Sequence, residues 1–150
     1  ELKLSNAEIK DILHSSKIAK KIPENNPGYL RLYRYLAGDR WEQIIRLASI
    51  FCQFNMESNF ASIEPDHFAK IETALHNLPI LTHHQQLVDG NWIMSNTGLT
   101  QGEKLGRLKQ WLFRLQIEYD LQNVSDISAQ LATIQWQNSD FTLWPKLALE

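Results

Sequence analysis

Lys104, Arg107, Lys109 and Arg114 put four cations on one short stretch of chain. Lysines and arginines spaced along a helix are the side chains that hold RNA phosphates by charge and hydrogen bonds. Arg31, Arg34 and Arg40 form a second basic group, continuous with Lys17, Lys20 and Lys21. Both groups also have a plainer use. Glu103 with Arg107, and Arg114 with Glu118, are spaced to pair across one helical turn. Such pairs are worth only about 0.3–0.5 kcal/mol each, so RNA can displace them. Arg31, Arg34 and Arg40 can equally form a solvated edge.

Other reactive residue types lack a chemical context. His83 and His84 with Asp89 hint at a metal, but adjacent histidines on a linker do not converge on one ion. No metal site is therefore expected, and His14, His67 and His76 stand singly. No Ser/His/Asp or Cys/His set has a nucleophile motif around it, so no catalytic residue is assigned. Of the five tryptophans, Trp41 and Trp111 sit on or beside apolar stripes and read as core. Trp92 is expected to pack between two helices. Trp136 and Trp144 are the candidates for base stacking.

The elements that would position these groups are helical. Ser5-Asn-Ala-Glu8 has the form of a capping box, followed by Ile9, Ile12, Leu13 and Ala19 on one face. Pro23 and Asn25-Asn-Pro-Gly28 are expected to end that helix. A second helix is expected over 29–37. Asp39, with Glu42, is expected to cap a third that carries Trp41, Ile44, Ile45, Ala48, Phe51 and Cys52. A polar loop over 55–63 leads to Pro65 in the first turn of a fourth helix, striped with Phe68, Ile71, Leu75 and Leu78 and stopped by Pro79. After the His83-His84 linker, Asp89 is expected to cap a short helix to Met94. Thr100-Gln-Gly-Glu103 is a further capping-box pattern. It opens a helix with Leu105, Leu108, Leu112, Leu115 and Tyr119 in a near-heptad row. Gly106 inside that helix predicts a close helix crossing, since it costs about 1 kcal/mol against alanine. Ser125 is expected to cap a last short helix, and the aromatic tail after Gln135 to dock. The fold class is all-α, an irregular bundle of six to seven helices. It reads as one domain over 1–150 with subregions 1–78 and 87–150.

A chain of 150 residues, 43% hydrophobic and 21% charged, is ordinary for a globular protein. A formal net charge of −2 offers no global attraction to nucleic acid. The charge is uneven: residues 1–40 carry net +3 and the remainder −5. The single cysteine, Cys52, lies in an apolar run and excludes an internal disulfide. No apolar run is long enough to cross a membrane, and no signal peptide opens the chain. The start at Glu1 and the terminal Leu-Glu150 read as an expressed fragment with a tag remnant.

Two segments carry a family resemblance. One is Leu87-Val-Asp-Gly-Asn-Trp-Ile-Met94 followed by Gly98-Leu-Thr-Gln-Gly-Glu-Lys-Leu-Gly-Arg-Leu108. The other is Leu32-Tyr-Arg-Tyr-Leu-Ala-Gly-Asp39 leading into Ile44-Ile-Arg-Leu-Ala48. In order and separation they resemble the helical region of bacterial tRNA nucleotidyltransferases, the CCA-adding enzymes and their poly(A) polymerase relatives. Two departures are Gln101-Gly-Glu103, where the family has a Pro-Gly-Pro-like turn, and Ala48–Cys52, which lacks the family's Ala-Asp ending. The resemblance implies a non-catalytic body and tail of a class II enzyme involved in tRNA processing. Its partners would be tRNA or another RNA and the protein's own N-terminal catalytic head, in the cytoplasm and away from membranes. Mg²⁺ and ATP or CTP would belong to that head, whose Gly-Ser and Asp-x-Asp motifs are not in this sequence. Arg31, Arg34, Arg40, Lys104, Arg107, Lys109 and Arg114 would then contact RNA. Asp39, Asp89, Gly90, Gly98, Gly102 and Gly106 would shape the motif.

Two other functions fit the residues. The near-heptad row also suits a helical interaction module, with a homodimer as its simplest assembly. A stand-alone hydrolase is the third, and it would need a bound metal.

Overall fold

Local capping and apolar spacing set the elements of the computed structural model, which describes residues 3–21, 23–54, 63–64, 66–78 and 85–149. Of the expected loop over 55–63 all but residue 63 lies outside the described residues, as do Pro65, Pro79, His83 and His84. The helices are α1 (Asn6–Ala19), α2 (Pro27–Ala37), α3 (Trp41–Gln53), α4 (His67–Asn77), α5 (Gly90–Thr97), α6 (Glu103–Glu118) and α7 (Val124–Thr133). Short 3-10 turns occupy Gly38–Arg40 and Phe141–Leu143. The protein is all-α, with no strand among the described residues. Among those residues no helix is long and apolar enough to cross a membrane. The chain divides into two compact units, Glu1–Pro79 and Ile80–Glu150.

In the first unit, α1 opens on the expected capping box. The Glu8 N–H donates to Ser5 Oγ at 3.2 Å, and the Ser5 N–H donates to Glu8 Oε2 at 2.7 Å. These bonds hold the Glu8 carboxyl below the usual carboxylate range. The expected apolar face is not the packed one. Ile9, Ile12 and Leu13 are 41%, 52% and 64% exposed, whereas Ile18 and Ala19 are buried. The helix is rotated so that the row Asp11, His14 and Ile18 meets its neighbours. Asp11 pairs with Arg40 at 3.4 Å, and His14 Nε2 lies 3.0 Å from the Leu36 carbonyl.

The residues expected to end α1 instead begin α2. Asn26 Oδ1 accepts from the Gly28 N–H at 2.9 Å and the Tyr29 N–H at 3.3 Å, with Pro27 in the first turn. Asp39 does not cap α3. It lies in the 3-10 turn, which leads into α3 without a side-chain cap. Trp41, Ile44, Ile45 and Ala48 are buried as the spacing predicts, while Phe51 and Cys52 are half-buried. α4 buries Phe68, Ile71 and Leu75. His67 Nε2 lies 2.9 Å from the Pro23 carbonyl, tying the start of α4 to the stretch between α1 and α2.

In the second unit, Asp89 caps α5, accepting from the Trp92 N–H at 2.8 Å. α5 ends on Gly98 at φ +72°, in the left-handed region, with its N–H on the Met94 carbonyl at 2.9 Å. The chain then turns through Gly102 at φ +156°, a backbone setting that a side chain strains. The Thr100 capping box does not form, because α6 starts only at Glu103 and Gly102 takes the cap position. Leu105, Leu108, Leu112 and Leu115 form one cluster with Val88, Ile93, Ile127, Leu131, Trp136 and Trp144. Each buried leucine contributes roughly 1.5–3 kcal/mol. Tyr119 drops out of the row, 61% exposed at the helix end.

Gly106 faces open space, so no close crossing accounts for it; Gly90 is the glycine that lies against α6, beside Leu105. Ser125 falls inside α7, and Asn123 takes the position before the helix, its side chain donating to Asp126 Oδ2 at 3.4 Å and capping no backbone N–H.

One buried polar side chain fixes how the chain enters α5. Gln116, 6% exposed, accepts from the Leu87 N–H at 3.0 Å and donates to the Gln85 carbonyl at 2.9 Å. Gln116→Leu strands both backbone groups while keeping the volume, and is expected to cost about 1–3 kcal/mol. A urea unfolding series measures it, together with faster hydrogen exchange at Leu87. An unchanged midpoint would show that the bridge adds no stability.

Candidate nucleic-acid interface

The predicted basic residues fall into two groups, one in each unit. In the first unit, Arg34 is absorbed by packing. Its Nη1 donates to the Leu75 carbonyl at 2.7 Å, and its guanidinium lies 5.1 Å from the Trp41 ring centroid. Arg40 and its partner Asp11 are both more than half exposed, so their attraction is weak. Arg31 is half-buried and makes contacts of its own. Only Arg40 of these three presents its charge openly to solvent.

In the second unit the spacing of α6 builds a second face beside the leucine row. Lys104, Arg107, Trp111, Arg114 and Glu118 follow one another at alternating steps of three and four, so they align on one flank. All five are half-buried. What covers them is the chain's own tail. Arg107 Nη2 donates to the carbonyls of Thr142 at 3.3 Å and Trp144 at 2.6 Å. Arg114 Nη1 donates to the carbonyls of Lys146 at 2.9 Å and Ala148 at 3.4 Å. The tail thus turns four alternate carbonyls, 142, 144, 146 and 148, toward two arginines seven residues apart.

Arg107 does not pair with Glu103 as its spacing allows, because its guanidinium is turned to the tail. Its Nε is buried without a hydrogen-bond partner. The other expected pair forms: Arg114 Nε donates to Glu118 Oε1 at 2.8 Å, with side chains 17% and 22% exposed.

Trp136 and Trp144 are corrected by the structure. They are 9% and 3% exposed and belong to the core, so neither offers a face to a base. Trp144 Nε1 donates to Ser139 Oγ at 2.7 Å, and its ring lies 5.5 Å from Trp111 and 6.2 Å from Phe141 between centroids. The Lys104 ammonium sits 5.8 Å from the same ring. Lys109, half-buried on another flank of α6, has no hydrogen-bond or ion-pair partner among the described residues.

The tail's approach is set by Asp140, whose carboxylate accepts from the Thr142 N–H at 2.9 Å and from Thr142 Oγ1 at 2.8 Å. The backbone bond first, then the hydroxyl, hold this carboxyl below the ordinary aspartate range. A depressed folded value means that the turn's contribution is complete at neutral pH. It fades as pH falls through Asp140's lowered midpoint.

Sequence reasoning foresaw a docked tail from its aromatics but not its seat on the basic flank. The signal was present in the shared spacing of Lys104, Arg107, Trp111 and Arg114. Among the described residues no three His, Cys, Asp or Glu side chains converge as a metal site. No protein-family model, curated protein or solved structure matches this chain.

Arg107→Gln removes the donors to Thr142 and Trp144. Charged hydrogen bonds contribute about 1.5–3 kcal/mol in general, and half-exposure reduces this to about 1–2 kcal/mol here. The expected result is a lower urea midpoint with a weakened near-ultraviolet signal from Trp144. A variant as stable as the parent would mean that aromatic burial alone seats the tail.

Proposed function

We propose that this chain is the non-catalytic, RNA-positioning helical part of a cytoplasmic tRNA nucleotidyltransferase or poly(A) polymerase-like enzyme. In this reading a catalytic head elsewhere in the protein uses Mg²⁺ and ATP or CTP, and this part holds RNA by shape and phosphate contacts. The observation that carries it is the corner between α5 and α6. Asp89 caps, Gly98 is left-handed and Gly102 opens the next helix. These are the positions on which the family resemblance rests.

The cations differ in how ready they are for phosphate. Lys109 and Lys104 are the first candidates, since neither forms a hydrogen bond or ion pair among the described residues. Arg40 can leave its exposed pair with Asp11 at little cost. Arg107 and Arg34 are committed to backbone carbonyls and serve the fold first.

A second reading, a protein-interaction module, is favoured by one specific feature: the exposed row Ile9, Ile12 and Leu13 on α1. The near-heptad row of α6 no longer favours it, because Leu105, Leu108, Leu112 and Leu115 are covered within their own unit.

Fluorescence anisotropy of labelled tRNA against salt separates the two readings. RNA positioning predicts salt-dependent binding. Lys104→Glu with Lys109→Glu should weaken it on the order of 10-fold and flatten the log–log salt slope by about 1–2. A stable dimer in light scattering, with no tRNA binding at low salt, would favour the interaction module instead.

A further inference from the structure

The tail has two halves with different anchors. Through Trp144 it is part of the core: that ring is 3% exposed, and Arg107 holds its carbonyl at 2.6 Å. Beyond Pro145 no described side chain is buried. Lys146 is exposed, and Leu147, Ala148 and Leu149 are half-buried. This second half lies against Arg114 through the carbonyls of Lys146 and Ala148.

Arg114 is held ready independently of the tail. Glu118 fixes its Nε at 2.8 Å within α6, which leaves Nη1 directed to the strap. A guanidinium binds a phosphate oxygen more strongly than a neutral carbonyl, because the acceptor is charged. Replacing the two carbonyls with phosphate therefore favours Arg114. The opposing costs are the uncovering of Leu147 and Leu149, which are only partly covered already, and the loss of the contacts that Lys146 makes. Pro145 separates the seated Trp144 from this second half, and its fixed φ keeps motion beyond it from reaching Trp144.

Resting on the RNA-positioning reading, we infer that residues 146–149 are an exchangeable strap: the tail's carbonyls hold Arg114 until an RNA phosphate takes their place. The strap lifts beyond Pro145, and Trp144 and the Arg107 clamp stay seated. The α6 flank is thus a phosphate site with a resident peptide occupant, and binding strength is set by how firmly that occupant lies. Arg107 and Arg114 look alike in sequence, yet Arg107 is structural and Arg114 is the residue that changes ligand.

Leu147→Ser with Leu149→Ser in the full chain loosens the strap without touching a charge. Labelled tRNA should bind this variant about 3- to 10-fold more tightly than the parent, and adding Arg114→Gln should abolish the gain. In the unsubstituted chain, saturating tRNA should lower the backbone 15N order parameters of residues 146–149 and leave that of Trp144 high. This second measurement decides the matter even if the double variant folds poorly. Unchanged affinity together with unchanged order parameters in a tRNA-saturated sample would overturn the strap and leave the RNA-positioning reading intact. Absence of tRNA binding by every form would defeat that reading, and the strap with it.

Discussion

The second unit depends on the double use of α6. One helix of 16 residues sends its leucine row into the cluster completed by α5, α7 and the tail, and lends an adjacent flank to hold that same tail. Hydrophobic burial provides the larger energy, but it has no direction of its own. Direction comes from the polar fixtures around it. Gln116 sets where the chain enters α5, and Arg107 sets where Trp144 comes to rest. Asp89 and Gly98 set the two ends of α5.

This arrangement explains why the cations do not behave as a uniform basic surface. With a formal net charge of −2, the chain generates no broad attraction for nucleic acid. Any RNA contact must come from local donors, the lysines of α6 and arginines already positioned by the fold. Arginines lying against peptide carbonyls are such donors, since the fork geometry that grips a carbonyl also grips a phosphate oxygen. The same contacts that assemble the fold therefore limit how much of α6 is open at any moment.

The all-helical class and most helix positions were legible from periodicity and caps, as at Ser5–Glu8 and Asp89. What was not legible has physical reasons. Asn26 and Pro27 read as a stop because the same polar and Pro-rich signals that end one helix also start the next. The apolar row of α1 is the strongest local pattern in that helix, yet the helix packs through Ile18 and Ala19 and leaves the row outward, with Asp11 and His14 partnered on the opposite flank. Gly102 displaced the Thr100 box because a glycine can take a backbone angle that lets α6 start later. At the candidate interface, spacing placed Lys104, Arg107 and Arg114 on one flank. It could not show what lies against them, because main-chain carbonyls leave no mark in a sequence. The two stacking candidates failed for a related reason: an aromatic residue in a tail looks the same whether it faces solvent or seats in a core.

The central claim is that RNA lies along the flank of α6. Ultraviolet cross-linking of tRNA to the full chain, with the attached peptides read by mass spectrometry, tests it most directly. Cross-links within 103–118 and at 146–149 are the predicted result. Binding that leaves those peptides unlabelled, with cross-links confined to α1–α4, would contradict it.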